Sequence, residues 1–293
     1  MKIPTSVKNI LEIDLEKKTY HIRSRSDLQD IIGGVGLSLK LYSEFKEEKP
    51  LIFSVGPLNG FFPFASKTSV MFGVKNKIYD YYIGGSLSSR IKFSNIDAIV
   101  LLGKSKSETF IEIHNHEVTF LDYGVEFESH GLPGKRSLIE FKTNKYLLDN
   151  YFRFSGSEAD SMLHYKKVLG LVISGSQNFT IPNKEEYDAL YKQILQKYQR
   201  LSVKKDEFPS CSGCPVGCSK SNIGEKGGSL LAHSLVGCGF STNLFNNHDL
   251  IISCLNILGY EYTHEDIEKY LQTLYNLKKD YIFQWVFLAK KNL

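Results

Sequence analysis

The sequence predicts an α+β fold: a β-rich module up to about residue 182, then a helical module over residues 183–293. Two observations carry this. Short apolar runs, several of them alternating, dominate the first half and end at glycine, proline or charged turns. After residue 182 the apolar residues recur at helical spacing behind a helix-start signal at Asn183-Lys184-Glu185-Glu186. With 293 residues, 42% hydrophobic and 23% charged, the chain has ordinary globular composition and enough length to bury a core.

The elements follow in order. Ile10 to Leu15 alternates, Glu16-Lys17-Lys18 turns, and Thr19 to Ile22 returns, which is a hairpin pattern. Leu28 to Phe45 has helical periodicity, interrupted by Gly33-Gly34-Val35-Gly36. Leu51 to Val55 reads as a buried strand closed by Gly56-Pro57. Ser69–Val74, Ala98–Leu102, Phe110–Ile113, Val118–Leu121 and Val168–Ile173 are further strands. Lys135 to Leu148 is expected to be a helix. In the second module, helices are expected from Asn183 to Leu201 and at Ser229–Val236, Asp249–Leu258, His264–Leu277 and Tyr281–Lys290. The apolar stretch Tyr281–Leu288 is expected to dock on the chain's own core, the alternative being a surface for further domains or a partner.

The most specific local feature is Cys211-Ser212-Gly213-Cys214-Pro215-Val216-Gly217-Cys218. Three of the five cysteines fall in this one C-x2-C-x3-C run, where small residues and a proline let the backbone curl. Thiolates select iron–sulfur clusters, zinc or copper(I). A closed site needs four ligands, and the run supplies three. Cys238, between Gly237 and Gly239 at a helix end, is the favoured fourth. Cys254 lies in an apolar helix stripe and is expected to be a core thiol. His233 could complete a zinc site instead, and another polypeptide could supply the ligand.

Composition excludes other classes. The net charge of +4 is small and lysine is dispersed, so no nucleic-acid partner is expected. No run of eighteen apolar residues predicts a membrane span, and no apolar leader is seen at the start. The odd cysteine count and the free thiols point to a reducing, cytoplasmic setting.

Several segments, in order, resemble the N-terminal part of the aldehyde ferredoxin oxidoreductases, the tungsten-pterin enzymes. They are Leu11–Leu15, Ile32–Leu37, Pro50–Phe53 with Gly56-Pro57-Leu58, and Gly84-Gly85 followed by Lys92-Phe93 and Asp97 to Lys104. Leu169–Val172 with Gly175-Ser176 and the cysteine loop complete the series. The resemblance implies a two-layer β-rich module that cradles a pterin, with tungsten or molybdenum, at Lys67, Gly84 and Gly85. It implies a [4Fe-4S] cluster on the cysteine loop, and oxidation of aldehydes or related oxo groups with an iron–sulfur acceptor such as ferredoxin. A second polypeptide would supply the family's C-terminal domains.

The sequence also departs from that pattern. Lys67 stands where the family has an arginine, losing the planar fork that suits phosphate. Lys166-Lys167-Val168 replaces an Arg-Gly-Gly turn. Gly227-Gly228-Ser229-Leu230-Leu231 replaces a segment whose carboxylate would act as general acid/base, and serine and leucine cannot do this. Glu225, in a Gly-Glu-Lys loop, is expected at the solvated surface. No catalytic residue is therefore assigned. Two other readings stand beside the oxidoreductase: a non-catalytic iron–sulfur electron-transfer or cofactor-handling relative, and a zinc-stabilised interaction module.

Overall fold

The structure, a computed structural model, describes residues 1–75, 77–122, 126 and 129–291, with side chains described through Lys278. Its centre is a seven-stranded sheet. The hairpin of β1 (Lys8–Asp14) and β2 (Thr19–Arg25) pairs as expected, Ile13 opposite Tyr20. β1 then runs parallel to β6 (Ala98–Leu102), and β6 pairs antiparallel with β3 (Leu51–Ser54). Beyond β3 lie β4 (Thr68–Val74), β5 (Lys77–Ile83) and, at the edge, the two-residue β12 (Glu225–Lys226). A second, five-stranded sheet has the order β10 (Lys145–Leu148), β9 (Arg136–Lys142), β11 (Val168–Ser174), β7 (Thr109–His114), β8 (Glu117–Leu121).

Both faces of the central sheet are buried at β1, β3, β4 and β6, which explains why β3, β4 and β6 read as near-continuous apolar runs, while the edge strand β2 is exposed. Side chains alternate across a strand. Leu11, Phe53, Val70 and Ile99 face one core, shared with Ile111, Ile139 and Ile173 of the second sheet. Ile10, Ile52, Met71 and Val100 face the other, shared with α1 (Gly34–Phe45) and with α5 (Leu230–Ser234), α7 (His248–Ile257) and α8 (His264–Lys291). The chain is thus two β layers with a helical layer on the outer face of the larger sheet. The helices after residue 182 share a core with strands from before it.

Two expectations are corrected. Lys135–Leu148 is not a helix but the β9–β10 hairpin, with Lys142 opposite Lys145. Thr143 and Asn144 sit at φ 50 and 64, and two positive values in a two-residue loop make a hairpin turn whose twist suits paired strands. The buried residues Ser137 and Ile139 alternate with half-buried Leu138 and Glu140, the period of a strand. At the C-terminus, His264–Lys291 runs as one helix rather than two. The expected docking of Tyr281–Leu288 falls outside the described side chains. Five strands and α-helices had no counterpart in the sequence reading: β5, β12, α2 (Leu87–Phe93), α3 (Ser157–Tyr165) and α6 (Thr242–Phe245). Among the described residues no helix is long and apolar enough to cross a membrane.

Candidate functional site

The site forms where the end of β5 meets the cysteine loop and the turn after α5. Ser212 N–H donates to Gly85 O at 2.9 Å, and the Ser212 and Ser89 hydroxyls stand 2.8 Å apart, tying the loop to the Gly84-Gly85 turn and α2. The loop curls through Gly213 and Gly217, both at positive φ. Cys214 N–H closes one turn onto Cys211 O at 3.0 Å, and Ser221 N–H closes another onto Cys218 O at 3.0 Å.

Cys238 arrives from the turn after α5. Phe64 brings it in. The Phe64 N–H donates to Gly213 O at 3.3 Å, and its carbonyl accepts from Cys238 N–H at 3.0 Å. One left-handed residue, φ 67, therefore joins the two cysteine segments. Lys67 N–H adds a bond to Val236 O at 3.1 Å. The result is one pocket lined by Cys211, Cys214, Cys218, Cys238, Lys67 and Phe64, among others. Cys254 is absent from it: that thiol is fully buried in α7, within the helical core.

Glu225 is not at the solvated surface. β12 pairs antiparallel with β5, placing Glu225 opposite Tyr82, and the carboxylate turns inward with its side chain 15% exposed. Its Oε1 lies 3.1 Å from Lys67 Nζ and accepts from Cys238 Sγ at 3.4 Å. Its Oε2 accepts from Gly239 N–H at 2.7 Å and lies 3.5 Å from His233 Nε2. His233 is buried, makes no hydrogen bond through either ring nitrogen, and stacks on Tyr82 with centroids 3.6 Å apart. Burial would push the Glu225 carboxyl up, but His233 and the Lys67 ammonium overcome it and hold it at about 2. Burial likewise opposes the Lys67 charge, yet Cys238 and Glu225 outweigh it and keep Lys67 above the ordinary lysine value. The Cys214 thiol is pushed up to about 11, chiefly by burial. Metal binding here must therefore displace protons from sulfur.

All seven expected site residues thus fall in one neighbourhood, but not in two separate roles. Gly84 and Gly85 are covered by the chain itself. A Cβ at Gly84 would stand 2.4 Å from Cys211 Sγ, and one at Gly85 would meet Leu148 and Phe152 under 3 Å. Lys67 is 1% exposed and engaged by Glu225. Lys166, at the lost Arg-Gly-Gly turn, is buried and donates to Gly103 O at 2.7 Å. Ser229, where the family carboxylate is implied, caps α5 by accepting from Ala232 N–H. These residues do not fit a pterin. The four thiols do fit a cysteine-ligated cluster by donor type and number. Among the described residues no three histidine, cysteine, aspartate or glutamate side chains converge on a single ion position.

Phe64 and Glu225 were missed as site residues. Nothing in Phe61-Phe62-Pro63-Phe64 marks a left-handed bridge, and two residues are too few to show strand alternation at Glu225.

Fold and site together define a two-sheet α+β protein with a cysteine loop packed on the edge of its larger sheet. Residues 10–155 match the family model "Aldehyde ferredoxin oxidoreductase, N-terminal domain", and the chain carries the N-terminal portion of that family. It is 29% identical over 148 residues to the "Aliphatic sulfonate oxidoreductase, WOR-like subunit" of Pyrococcus furiosus, a match covering 45% of this chain and 23% of that one. The fold is similar to a chain of the "Active site complex BamBC of Benzoyl Coenzyme A reductase in complex with 1,5 Dienoyl-CoA", with a TM-score of 0.57 and 18% identity. That likeness covers 73% of this chain and 38% of the other. The chain therefore spans well under half the length of either relative.

Proposed function

We propose that this chain is the iron–sulfur redox part of an oxidoreductase of the aldehyde ferredoxin oxidoreductase family, holding a [4Fe-4S] cluster on Cys211, Cys214, Cys218 and Cys238. The observation that carries this reading is the single pocket that all four thiols line. Three come from one loop and the fourth from a segment twenty residues on (from 218 to 238), drawn in by the Phe64 backbone.

When bound, the cluster would supply one-electron transfer. The chain's own residues hold it and shape its surroundings. Lys67 places a buried positive charge beside the sulfurs, and Phe64 and Val216 give the pocket apolar walls. Oxidation of an aldehyde or related oxo group belongs to a second polypeptide that carries the tungsten- or molybdenum-pterin, because Gly84, Gly85 and Lys67 are already engaged within this chain. The word "subunit" in the name of the Pyrococcus furiosus relative supports such a division. A ferredoxin-type protein would be the electron partner, in the cytoplasm. No nucleic acid or membrane partner is invoked.

The test is anaerobic purification with iron, zinc, tungsten and molybdenum analysis and a visible spectrum on the same sample. Iron with the broad absorption of a cluster, and neither tungsten nor molybdenum, is the expected result. Zinc alone, with no colour, would reduce the cysteine loop to a structural site and end this reading. Tungsten or molybdenum in the purified chain would overturn the assignment of the pterin to a partner.

A further inference from the structure

We infer that Glu225 is a positioning residue of the cluster site, one that holds Cys238 in the pocket and sets the charge at that corner. The inference rests on the proposed [4Fe-4S] reading. Glu225 contacts both Lys67 and Cys238, through the same oxygen, at 3.1 and 3.4 Å. Its other oxygen grips the backbone one residue beyond Cys238, at Gly239 N–H, 2.7 Å away. The carboxylate thus holds the Cys238-Gly239 turn through Gly239 N–H, a bond that does not depend on the Cys238 thiol proton that metal binding removes. The Thr242 hydroxyl on Gly239 O and Ser202 N–H on Phe240 O also hold the turn. Cys238 N–H bonds to Phe64 O, while Ser241 N–H and hydroxyl fold back onto Cys238 O.

The surroundings make the clasp specific. Glu225 enters from the edge strand β12, whose two residues are held by β5 at Tyr81 and Tyr82 and by Gly227 N–H on Asp80 O at 3.1 Å. His233 lies under it, stacked on Tyr82. Space behind the carboxylate is closed, because a Cβ at Gly239 would stand 2.4 Å from Glu225 Oε2 and one at Gly228 would stand 2.5 Å from the His233 ring. Charge at ligand-adjacent groups shifts cluster potential, and outer partners of metal ligands govern occupancy. Glu225 contributes a negative charge that offsets Lys67. Removing it leaves the buried ammonium unopposed beside the cluster and favours the reduced form.

The test compares wild type with Glu225→Gln and Glu225→Ala after anaerobic reconstitution, reading iron per chain, EPR spectrum and midpoint potential. Glu225→Gln keeps the shape and an acceptor for Gly239 N–H, so iron content holds and the potential moves positive. Glu225→Ala releases the Cys238 turn, so the iron held by Cys238 is lost and the oxidised protein shows a three-iron EPR signal. Wild-type potential in Glu225→Gln together with full iron in Glu225→Ala would overturn the inference while leaving the cluster reading intact. Wild type without iron would overturn both.

Discussion

The α-carbon of Gly84 lies against the sulfur of Cys211: a methyl group built there would stand 2.4 Å from Sγ. A glycine that could have cradled a cofactor instead makes room for a thiol. Gly84→Ala should therefore push Cys211 off its position and lower iron content after reconstitution. Overpacking at such a contact costs about 1–3 kcal/mol, so a fall in Tm should accompany it. Iron analysis of the variant beside wild type checks this, and unchanged iron would mean that the loop shifts without losing the ligand.

The cysteines should separate cleanly. Cys211→Ser, Cys214→Ser and Cys218→Ser should abolish cluster absorption, and Cys238→Ser should leave a cluster short of one iron. Cys254→Ser should keep the wild-type spectrum, because that thiol is buried in α7 away from the pocket. Loss of colour in Cys254→Ser at unchanged stability would make it a ligand and displace Cys238.

Asp149 binds the Gly85-Ser86 turn to the β9–β10 hairpin. Its Oδ2 accepts from the Ser86 N–H and hydroxyl at 2.8 and 2.7 Å, and its Oδ1 from the Ser137 hydroxyl and Leu138 N–H at 3.0 and 3.1 Å. Asp149→Ala leaves these donors without their charged acceptor and should cost about 2–3 kcal/mol in urea unfolding. A change under about 0.5 kcal/mol, the range of ordinary surface substitutions, would show that water replaces the carboxylate.

Two buried lysines should make stability depend on pH. Burial, with Lys49 adding, pulls Lys166 down to about 7; burial, against the opposing pull of Asp97, brings Lys8 down to about 8. The unfolded chain holds these protons up to about 10.5, so above pH 7 it binds more protons than the folded chain. Their contribution to stability thus rises with pH from about 7 towards 10.5, and is lost as pH falls through the folded values. Lys166→Met removes its share. The wild-type minus variant difference should climb between pH 7 and 9 by at most about 1.4 kcal/mol per unit. A pH-independent difference would show that Lys166 is hydrated or paired when charged.

Legibility varied with the kind of signal. The β1–β2 hairpin, β3, β4, β6, β7, β8 and β11 were readable because their apolar runs end at glycine, proline or charge. The β9–β10 hairpin was misread because Leu138, Phe141 and Leu148 also fall on one helix face, and Thr143-Asn144 is a weaker turn signal than Asn-Gly. In β5, Lys77-Ile78-Tyr79-Asp80-Tyr81-Tyr82 looked polar because tyrosine hides its apolar body behind a hydroxyl; Tyr81 and Tyr82 are in fact buried.

The sequence by itself determined the α+β class, the resemblance to the family and the three-cysteine loop, because each rests on spacing within a short stretch of chain. Only the tertiary structure decided that Cys238 joins that loop, that Glu225 turns inward and that Gly84 faces a sulfur. Those facts depend on backbone bonds between distant segments, Phe64 to Gly213 and Cys238 above all, and on a two-residue strand finding the edge of a sheet. Contacts of that kind leave no periodicity in the chain, since they arise only once the two cores have brought the segments together.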